Sequence, residues 1–400
     1  MKKIGILKEG KIPQDSRVAL TPKQCKSFIS NFPETEILVQ SSETRCFHDN
    51  EYRKEGIKIV EDLSDCDILL GIKEVPPAQL IAEKTYLFFS HTIKEQAYNR
   101  KLLQTVIEKN IRLIDYECLV DSNGERVIAF GRFAGIVGAH NGLMAFGKKT
   151  KKFNLPRVGN FKDEKKLFEY YKSVKIPPIR IALTGTGRVA KGAEEVLKSL
   201  SVKNISPQDF LNKPLNEAVY AVLSVSDLYT HKQKNMLEEK DFYSKPADYK
   251  STFLPYTKKT DLMINAIYWD PSAPVFFTKE DMRNRDFSIK VIADITCDIE
   301  GSIPATIRSS TIDEPVYGYN PFSEKETKPY LDDCIDIMAV DNLPNELPRD
   351  ASESFGKVLS EKILPALTDG VKNEIIEKAE IAVNGKLTNR YNYLENFVKG

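Results

Sequence analysis

Four ionisable side chains of the N-terminal third follow apolar segments at the point where each segment ends. They are Lys73, Glu74, His91 and Glu117. An amine, an imidazole and carboxylates are the groups with which proteins most often transfer protons. The segments before them alternate with helical patterns, which is typical of a parallel sheet covered by helices. Because ligands of such sheets bind beyond the carboxyl ends of the strands, the four side chains are expected to form one site.

Each of these residues also has an ordinary structural interpretation. A single histidine at a strand end, such as His91, is more often structural or exposed than catalytic, and only the neighbouring Lys73 and Glu74 favour a site here. For Glu74 and Glu117 the alternative is a helix cap or a surface acid, since exposed acids are the usual case. The other histidines, His48, His140 and His231, are not assigned a role.

A second candidate site is a glycine-rich turn in the middle of the chain. An apolar strand over residues 179–183 leads into Gly185 and Gly187, and a helix is predicted from about Arg188. Gly185 permits a tight turn, and Gly187 lets backbone amides approach a pyrophosphate. The unpaired N–H groups of the helix start favour an anion at this place. The predicted dinucleotide contacts are Gly185, Gly187, Arg188 and Val189.

The turn departs from the usual dinucleotide fingerprint in one respect. The next glycine, Gly192, follows Gly187 by five residues instead of three. A tight strand-to-helix turn without a ligand is therefore the alternative interpretation.

Length and composition favour a soluble globular protein of two domains. Four hundred residues exceed what one core usually serves, and 41% hydrophobic with 29% charged residues is ordinary. A net charge of +1 indicates neither a nucleic-acid nor a membrane partner. The six cysteines form no Cys-x-x-Cys pair, and the charged N-terminus is unlike a signal peptide. We therefore expect reduced thiols, no metal site and a cytoplasmic protein.

Two helices are predicted to connect the domains. Residues 131–148 carry glycines at 131, 135, 138 and 142 among apolar side chains, which favours close packing against another backbone. Residues 351–367 keep apolar side chains at helical spacing.

Seven short segments, spread along nearly the whole chain, form a combination known from one enzyme family. The most specific are Ser90-His-Thr-Ile-Lys94 and Asp341-Asn-Leu-Pro344. The others are Ile72-Lys-Glu74, Ile128-Ala-Phe-Gly-Arg-Phe-Ala-Gly135, Thr184-Gly-Thr-Gly187, Ile264-Asn-Ala-Ile-Tyr-Trp269 and Asp294-Ile-Thr-Cys-Asp-Ile-Glu-Gly-Ser302. Together they resemble the lysine-ketoglutarate reductase and lysine-forming saccharopine dehydrogenase family. More distantly, the chain is similar to alanine dehydrogenase and to the NAD-binding subunit of transhydrogenase.

The resemblance implies an α/β fold with two Rossmann-like domains. The N-terminal substrate domain would comprise residues 1–132 and be completed by the C-terminal tail, residues 343–400. The NAD(P)-binding Rossmann domain, residues 133–342, would be inserted between them. The two predicted bridging helices fit this arrangement.

The resemblance also implies a reaction. The family joins the ε-amine of lysine to the keto carbon of 2-oxoglutarate and reduces the resulting imine to saccharopine with a nicotinamide cofactor. Amine attack requires a base and loss of water requires an acid, and the resemblance assigns these roles to Lys73 and His91. We hypothesise that His91 transfers protons during carbinolamine formation and collapse, and that Lys73 serves at the amine during imine reduction. Sequence leaves this division of roles open.

Further site residues follow from the same resemblance. Glu74 and Glu117 would hold the lysine ammonium, Arg17 and Arg126 would bind substrate carboxylates, and Phe133 would contact the substrate. For Arg126 an ordinary strand-edge arginine is the alternative.

The cofactor residues beyond the glycine turn are predicted on the following strand ends. Asn265 and Ala266 would lie near the nicotinamide ribose, with Asp294 and Asp298 as further contacts, unless Asn265 caps its own loop. An acid at the end of the second Rossmann strand usually accepts the ribose 2′-OH, whereas this sequence has Ser206 there. This difference slightly favours NADP(H) over NAD(H).

Two other functions remain as alternatives: an alanine-dehydrogenase-like amino-acid dehydrogenase, and a dinucleotide-binding protein without catalysis. The expected partners are the small molecules lysine, 2-oxoglutarate and saccharopine, and homo-oligomerisation is left open. No second enzyme is expected to be fused after Gly400.

Overall fold

The computed structural model describes residues 1–234 and 236–400. The chain divides into two compact units: a first unit of Met1–Phe130 with Pro348–Gly400, and a second unit of Gly131–Leu347. Each unit contains an eight-stranded mixed sheet with helices. The predicted α/β class with two Rossmann-like folds is confirmed. Within the described residues, no helix combines the length and apolar character needed to cross a membrane.

The elements are named in chain order. The strands are β1 (Lys2–Ile6), β2 (Thr35–Gln40), β3 (Lys58–Val60), β4 (Ile68–Leu70), β5 (Thr85–Phe88), β6 (Arg112–Asp115), β7 (Arg180–Thr184), β8 (Lys203–Asn204), β9 (Val219–Leu223), β10 (Tyr229–His231), β11 (Tyr249–Ser251), β12 (Leu262–Asn265), β13 (Val291–Asp294), β14 (Val316–Asn320), β15 (Lys325–Thr327), β16 (Ile335–Met338), β17 (Glu380–Val383) and β18 (Lys386–Leu387). The α-helices are α1 (Pro22–Asn31), α2 (Asp49–Lys54), α3 (Arg100–Glu108), α4 (Gly131–Thr150), α5 (Glu164–Tyr171), α6 (Arg188–Ser199), α7 (Pro207–Asn212), α8 (Val225–Leu228), α9 (Glu239–Ser244), α10 (Leu254–Thr257), α11 (Pro348–Val358), α12 (Leu364–Thr368), α13 (Glu374–Ala379) and α14 (Glu395–Lys399).

The sheet of the first unit has the order β18-β17-β6-β5-β4-β1-β2-β3. Strands β1 to β6 are parallel, so their carboxyl ends lie at one edge. The C-terminal strand β17 pairs antiparallel with β6. Apolar side chains such as Leu69 and Leu87 are fully buried in the strands that carry the candidate site.

The sheet of the second unit has the order β15-β14-β16-β13-β12-β7-β9-β8. The predicted strand before Ser206 is present as β8, but it is not the neighbour of β7, because β9 pairs with β7 and the short β8 lies at the sheet edge beyond it. Ser206 instead caps α7, where its Oγ accepts the N–H of Asp209 at 3.1 Å. The first residue after the strand beside β7 is Ser224.

The glycines of α4 allow close approach to α6, as the sequence predicted. A Cβ on Gly135 would lie 1.9 Å from the carbonyl oxygen of Val189. A Cβ on Gly192, in the facing helix, would lie 2.1 Å from the carbonyl oxygen of Arg132. Only glycine at these positions permits the two helix backbones to touch.

Residues 314–333 contain β14 and β15, and the C-terminal tail contains the β17–β18 hairpin, whose turn residues Asn384 and Gly385 both have positive φ. The helix predicted over 351–367 is present, and it contains a π-helical turn, Leu359–Ile363, immediately before α12. Pro365 lacks the N–H that regular helical hydrogen bonding would need there.

Candidate active site

The carboxyl ends of β4, β5 and β6 bring Lys73, Glu74, His91 and Glu117 to one edge of the first sheet. The three strands are adjacent and parallel, so their ends are neighbours. The predicted grouping at one edge is therefore present in the structure, whereas the role of each residue stays a prediction.

Glu74 connects two basic side chains at this edge. Its Oε1 lies 2.7 Å from Nδ1 of His91, and its Oε2 accepts a hydrogen bond of 2.7 Å from Nζ of Lys11. Burial by itself raises the pKa of Glu74, but the hydrogen bond and charge of His91 and the bond from Lys11 outweigh it and bring the pKa to about 2. Glu74 is therefore an ionised carboxylate at neutral pH, and the Nδ1 facing it carries a proton.

Lys73 is largely buried, in surroundings that disfavour its positive charge. Burial, followed by the positive charges of Arg17 and Lys11, lowers the pKa of Lys73 below its ordinary value. Its backbone N–H donates to Oε2 of Glu9 at 2.8 Å, and the preceding N–H of Ile72 donates to Oε1 at 2.7 Å. The amine is thus shifted towards the neutral, proton-accepting form, on a backbone that Glu9 holds in place.

Glu9 is itself an unusual carboxyl group. Burial, reinforced by the negative charge of Asp15, raises its pKa to about 8 despite the two N–H bonds from Ile72 and Lys73. Charge at Glu9 therefore depends on pH in the neutral range.

The guanidinium of Arg17 contacts a carboxylate and an aromatic ring of the first unit. Its Nε donates to Oδ1 of Asp15 at 2.9 Å, and its NH2 group donates to Oδ2 of the same carboxylate. The guanidinium lies 4.2 Å from the ring centroid of Phe130, which stacks on Phe355 of α11 at 4.7 Å. The C-terminal segment thereby supports a residue of the N-terminal segment.

Glu117 and Arg126 form an ion pair. A guanidinium NH2 of Arg126 donates to Oε1 of Glu117, and Nζ of Lys94 lies 3.7 Å from the same oxygen. Oε2 of Glu117 is buried and accepts no hydrogen bond from the described residues. A buried carboxylate oxygen without a donor is a suitable acceptor for a substrate ammonium.

In the second unit, the glycine-rich turn has the backbone that a dinucleotide requires. Gly185 has φ of +93°, and a Cβ there would lie 2.6 Å from the carbonyl oxygen of Ala266. Gly187 is the N-cap of α6, and apart from its chain neighbours no described residue has an atom within 4 Å of the position of its missing Cβ. Arg188 and Val189 form the first turn of α6. The open approach to the start of a 12-residue helix fits a pyrophosphate.

The predicted ribose-side residues mainly bind one another. Nδ2 of Asn265 donates to Oδ1 of Asp294 at 2.9 Å and to Oγ of Ser302 at 3.0 Å, and its Oδ1 accepts from Thr184 at 2.7 Å. Burial raises the pKa of Asp294 to about 6. These side chains fix the ends of β7, β12 and β13, so a contact with the cofactor would come from backbone next to them.

The other two predicted site residues of the second unit, Asp298 and Phe133, make contacts with neighbouring residues of that unit. Asp298 lies in the loop after β13, where its carbonyl oxygen accepts the N–H of Gly301 at 3.0 Å. Phe133 is buried in α4 of the second unit, with the guanidinium of Arg132 5.2 Å from its ring centroid.

Sequence reasoning missed four charged residues of the first-unit site: Glu9, Lys11, Asp15 and Asp115. The first three lie in the polar segment between β1 and α1. A signal was present, since Glu9 follows β1 as Glu74 follows β4, and Asp115 precedes Glu117 by two residues.

The comparisons with known proteins agree with this architecture. Residues 5–137 match the family described as "Alanine dehydrogenase/PNT, N-terminal domain". The chain is 30% identical to alpha-aminoadipic semialdehyde synthase of Bos taurus, over 95% of this chain and 46% of that protein. It is 27% identical to saccharopine dehydrogenase [NAD(+), L-lysine-forming] of Emericella nidulans, over 94% and 95% of the two chains.

A solved structure extends the likeness to the fold. An L-alanine dehydrogenase aligns with a TM-score of 0.66 at 16% identity, over 99% of both chains. The chain spans about half the length of the semialdehyde synthases it matches and nearly the whole saccharopine dehydrogenase. These relatives confirm the resemblance that the sequence motifs predicted.

Proposed function

We propose that this chain, a member of the lysine-forming saccharopine dehydrogenase family, interconverts L-lysine and 2-oxoglutarate with saccharopine, using a nicotinamide dinucleotide. The observation that carries the proposal is the group of Lys73, Glu74 and His91 at one sheet edge. It combines an amine whose pKa is lowered with an imidazole on an ionised carboxylate. The relatives with similarity over nearly the whole chain bear names of this chemistry.

Lys73 is suited to act at the substrate amine. Nucleophilic attack on the keto carbon requires the neutral ε-amine of lysine, so one proton must be removed. Burial and the charges of Arg17 and Lys11 shift Lys73 towards the neutral form that can accept this proton. Lys73 would also return a proton to the secondary amine of the product.

His91 is suited to act at the substrate oxygen. Attack of the amine breaks the carbonyl π bond and forms a C–N bond, and transfer of one proton from the new ammonium nitrogen to the alkoxide gives a neutral carbinolamine. One further proton converts the hydroxyl to water, which leaves as the nitrogen lone pair forms the iminium. The bond between Nδ1 and ionised Glu74 orients the imidazole ring that would transfer these protons.

The substrate charges have matching groups in the first unit. The Oε2 oxygen of Glu117 would accept the lysine ammonium, and Arg17, oriented by Asp15 and Phe130, would bind a carboxylate. Arg126 would act on the substrate only by leaving Glu117, so we propose that its first role is to orient that carboxylate.

The dinucleotide would be held at Gly185, Gly187 and the first turn of α6. When bound and reduced, it supplies the hydride that converts the iminium carbon to the secondary amine. The chain contributes the backbone amides of the turn, and the fixed strand ends at Asn265 and Asp294.

The test is oxidation of NADH or NADPH, followed at 340 nm, on mixing the purified protein with lysine and 2-oxoglutarate. We expect cofactor oxidation that depends on both substrates, with saccharopine identified by mass spectrometry. Pyruvate with ammonia is the matched control, and turnover only with that pair would instead indicate an alanine-dehydrogenase-like enzyme. Dinucleotide binding without turnover of either pair would contradict an enzymatic role.

We also propose that the protein works in a reducing compartment, the cytoplasm. All six cysteines are free thiols in the structure, which reducing conditions preserve. Fractionation of cells that express the tagged protein would test this assignment.

A further inference from the structure

The backbone of His91 adopts a conformation that needs external support. Its φ is 51° and its ψ is 15°, in the left-handed region that residues with a side chain rarely occupy. Such a backbone persists only where surrounding interactions determine it, and these positions concentrate at functional sites. The residues that hold His91 are therefore part of how its imidazole is placed.

A fully buried carboxylate, Asp115, provides this support from the neighbouring strand end. Its Oδ2 accepts both the backbone N–H of Ser90, at 3.0 Å, and the hydroxyl of Ser90. The Ser90 Oγ also lies 2.8 Å from Oγ1 of Thr92, on the other side of His91. Ser90, Thr92 and Asp115 have no exposed surface.

The second oxygen of the same carboxylate reaches another candidate site residue. Oδ1 of Asp115 accepts the backbone N–H of Glu117 at 2.7 Å. One side chain thus ties the end of β5, which carries His91, to the start of the turn that carries Glu117.

We propose that Asp115 is a positioning residue, which acts through Ser90 on His91 and directly on the backbone of Glu117. The assignment of a catalytic consequence rests on the proposed function, whereas the effect on His91 itself does not. A carboxylate without exposed surface costs desolvation free energy, and an apolar side chain would fill this space at lower cost. The three donors around Asp115 explain why an acid is kept there.

The test uses the whole protein and two variants. Asp115→Asn keeps the shape but replaces one acceptor oxygen with an NH2 group that faces an N–H or O–H donor. Ser90→Ala keeps the carboxylate and the bond from Asp115 to Glu117, and removes the Ser90 hydroxyl with its bonds to Asp115 and Thr92. Tyr52→Phe is the control, because it removes another buried hydrogen bond of the first unit, from Tyr52 to the carbonyl oxygen of Leu20 at 2.8 Å.

The first readout is the NMR signal of the His91 Nδ1 proton, which is bonded to Glu74. The chain has four histidines, so the signal is assigned by its absence in His91→Gln. We expect it to be lost or broadened in Asp115→Asn and in Ser90→Ala, and unchanged in Tyr52→Phe. This readout does not depend on catalysis, so it decides the positioning role even if the proposed reaction is not observed.

The second readout is steady-state kinetics. We expect a decrease in kcat of about 10- to 100-fold in both variants, the size of effect that displaced catalytic groups produce. KM for lysine should rise only in Asp115→Asn, because only that variant releases Glu117.

An unchanged His91 signal in both variants overturns the proposal. A kcat decrease that only matches that of Tyr52→Phe overturns its catalytic part. If Asp115→Asn fails to fold, the His91 signal of Ser90→Ala alone tests whether Ser90 and Asp115 position His91.

Discussion

Burial and neighbouring positive charge change the pKa of Lys73 in the same direction. Both lower its pKa from the ordinary value of 10.5, with burial as the larger cause and Arg17 and Lys11 as the next. Just below pH 10.5 the unfolded chain therefore binds the Lys73 proton more tightly than the folded chain does. The protonated side chain consequently lowers the free energy of unfolding at neutral pH, and this cost disappears as the pH rises towards 10.5.

We predict that Lys73→Met stabilises the protein while it removes activity. Methionine fills similar space without a charge, so the melting temperature at pH 7 should be higher than that of the native chain. This difference should narrow towards pH 10.5, as measured by calorimetry at several pH values. Turnover of lysine and 2-oxoglutarate should fall by about 100-fold or more. Lys23→Met, at an exposed position of α1, should change neither quantity, and a lower melting temperature for Lys73→Met would contradict the assigned direction.

At the level of elements, patterns with strong local signals were predictable. The capped start of α1 at Thr21 and Pro22 and the apolar strands depend on nearby residues alone. The glycines of α4 are visible in the sequence, although the helix that they contact, α6, is distant in the chain. The position of β9 beside β7 was not predictable, because strand neighbours are determined by long-range packing. The β17–β18 hairpin had a usable signal, since Asn-Gly between apolar residues favours a two-residue turn. At the site, the aligned strand ends were predictable, and Glu9 and Asp115 carried the same signal of an acid close to a strand end. Their hydrogen-bond partners were not predictable, because these lie on other strand ends.

The contact between α4 and α6 leads to a second prediction. In Gly135→Ala the new methyl group would overlap the Val189 carbonyl, so the helices must separate. We expect a loss of about 3 kcal/mol in the unfolding free energy, measured by urea denaturation. Because Val189 is in the first turn of α6, NADH binding measured by fluorescence should weaken as well. Gly159→Ala is the control, since among the residues that the structure describes only its chain neighbours come within 4 Å of its Cβ position. Equal stability of both variants would contradict the close approach.

The order β7-β9-β8 changes the expected cofactor preference. The acid that follows the strand beside β7 is Asp227, whose Oδ2 accepts the N–H of Ser224 at 2.9 Å and its hydroxyl at 2.6 Å. An acid at this strand end accepts a ribose 2′-OH and repels a 2′-phosphate. We therefore predict preference for NADH, in contrast to the slight preference for NADP(H) that Ser206 suggested.

The measurement is the ratio of the dissociation constants of NADPH and NADH, determined by fluorescence. Asp227→Asn should lower this ratio by about 10-fold or more, the effect of removing one repulsive charge. Ser206→Ala, at the cap of α7, should leave it unchanged. If Ser206→Ala changed the ratio and Asp227→Asn did not, Ser206 would again be the residue that determines the cofactor preference.

For the whole molecule, the decisive feature is that the chain leaves its first unit at Phe130 and returns to it at Pro348. The returning segment contributes β17, which covers the edge of β6, and Glu380, which accepts a hydrogen bond of 2.8 Å from Nε of Arg112. It also buries Ile381, Leu394 and Phe397. Each such side chain contributes about 1.5–3 kcal/mol, so together they are comparable with the total stability of a domain.

We predict that a chain ending at Ala379 retains dinucleotide binding and loses catalysis. Without β17, strand β6 becomes an edge, and its end carries Asp115 and Glu117 of the candidate active site. NADH fluorescence should give a dissociation constant within about twofold of the native value, because the glycine turn belongs to the other unit, while turnover should be undetectable. A chain ending at Val398 is the control, since it keeps the bond from Nε2 of Gln104 to the carbonyl oxygen of Val398 at 2.8 Å. Turnover by the shorter chain would mean that β6 and its two acids keep their positions without the C-terminal strand, and the site would then be a property of the N-terminal segment alone.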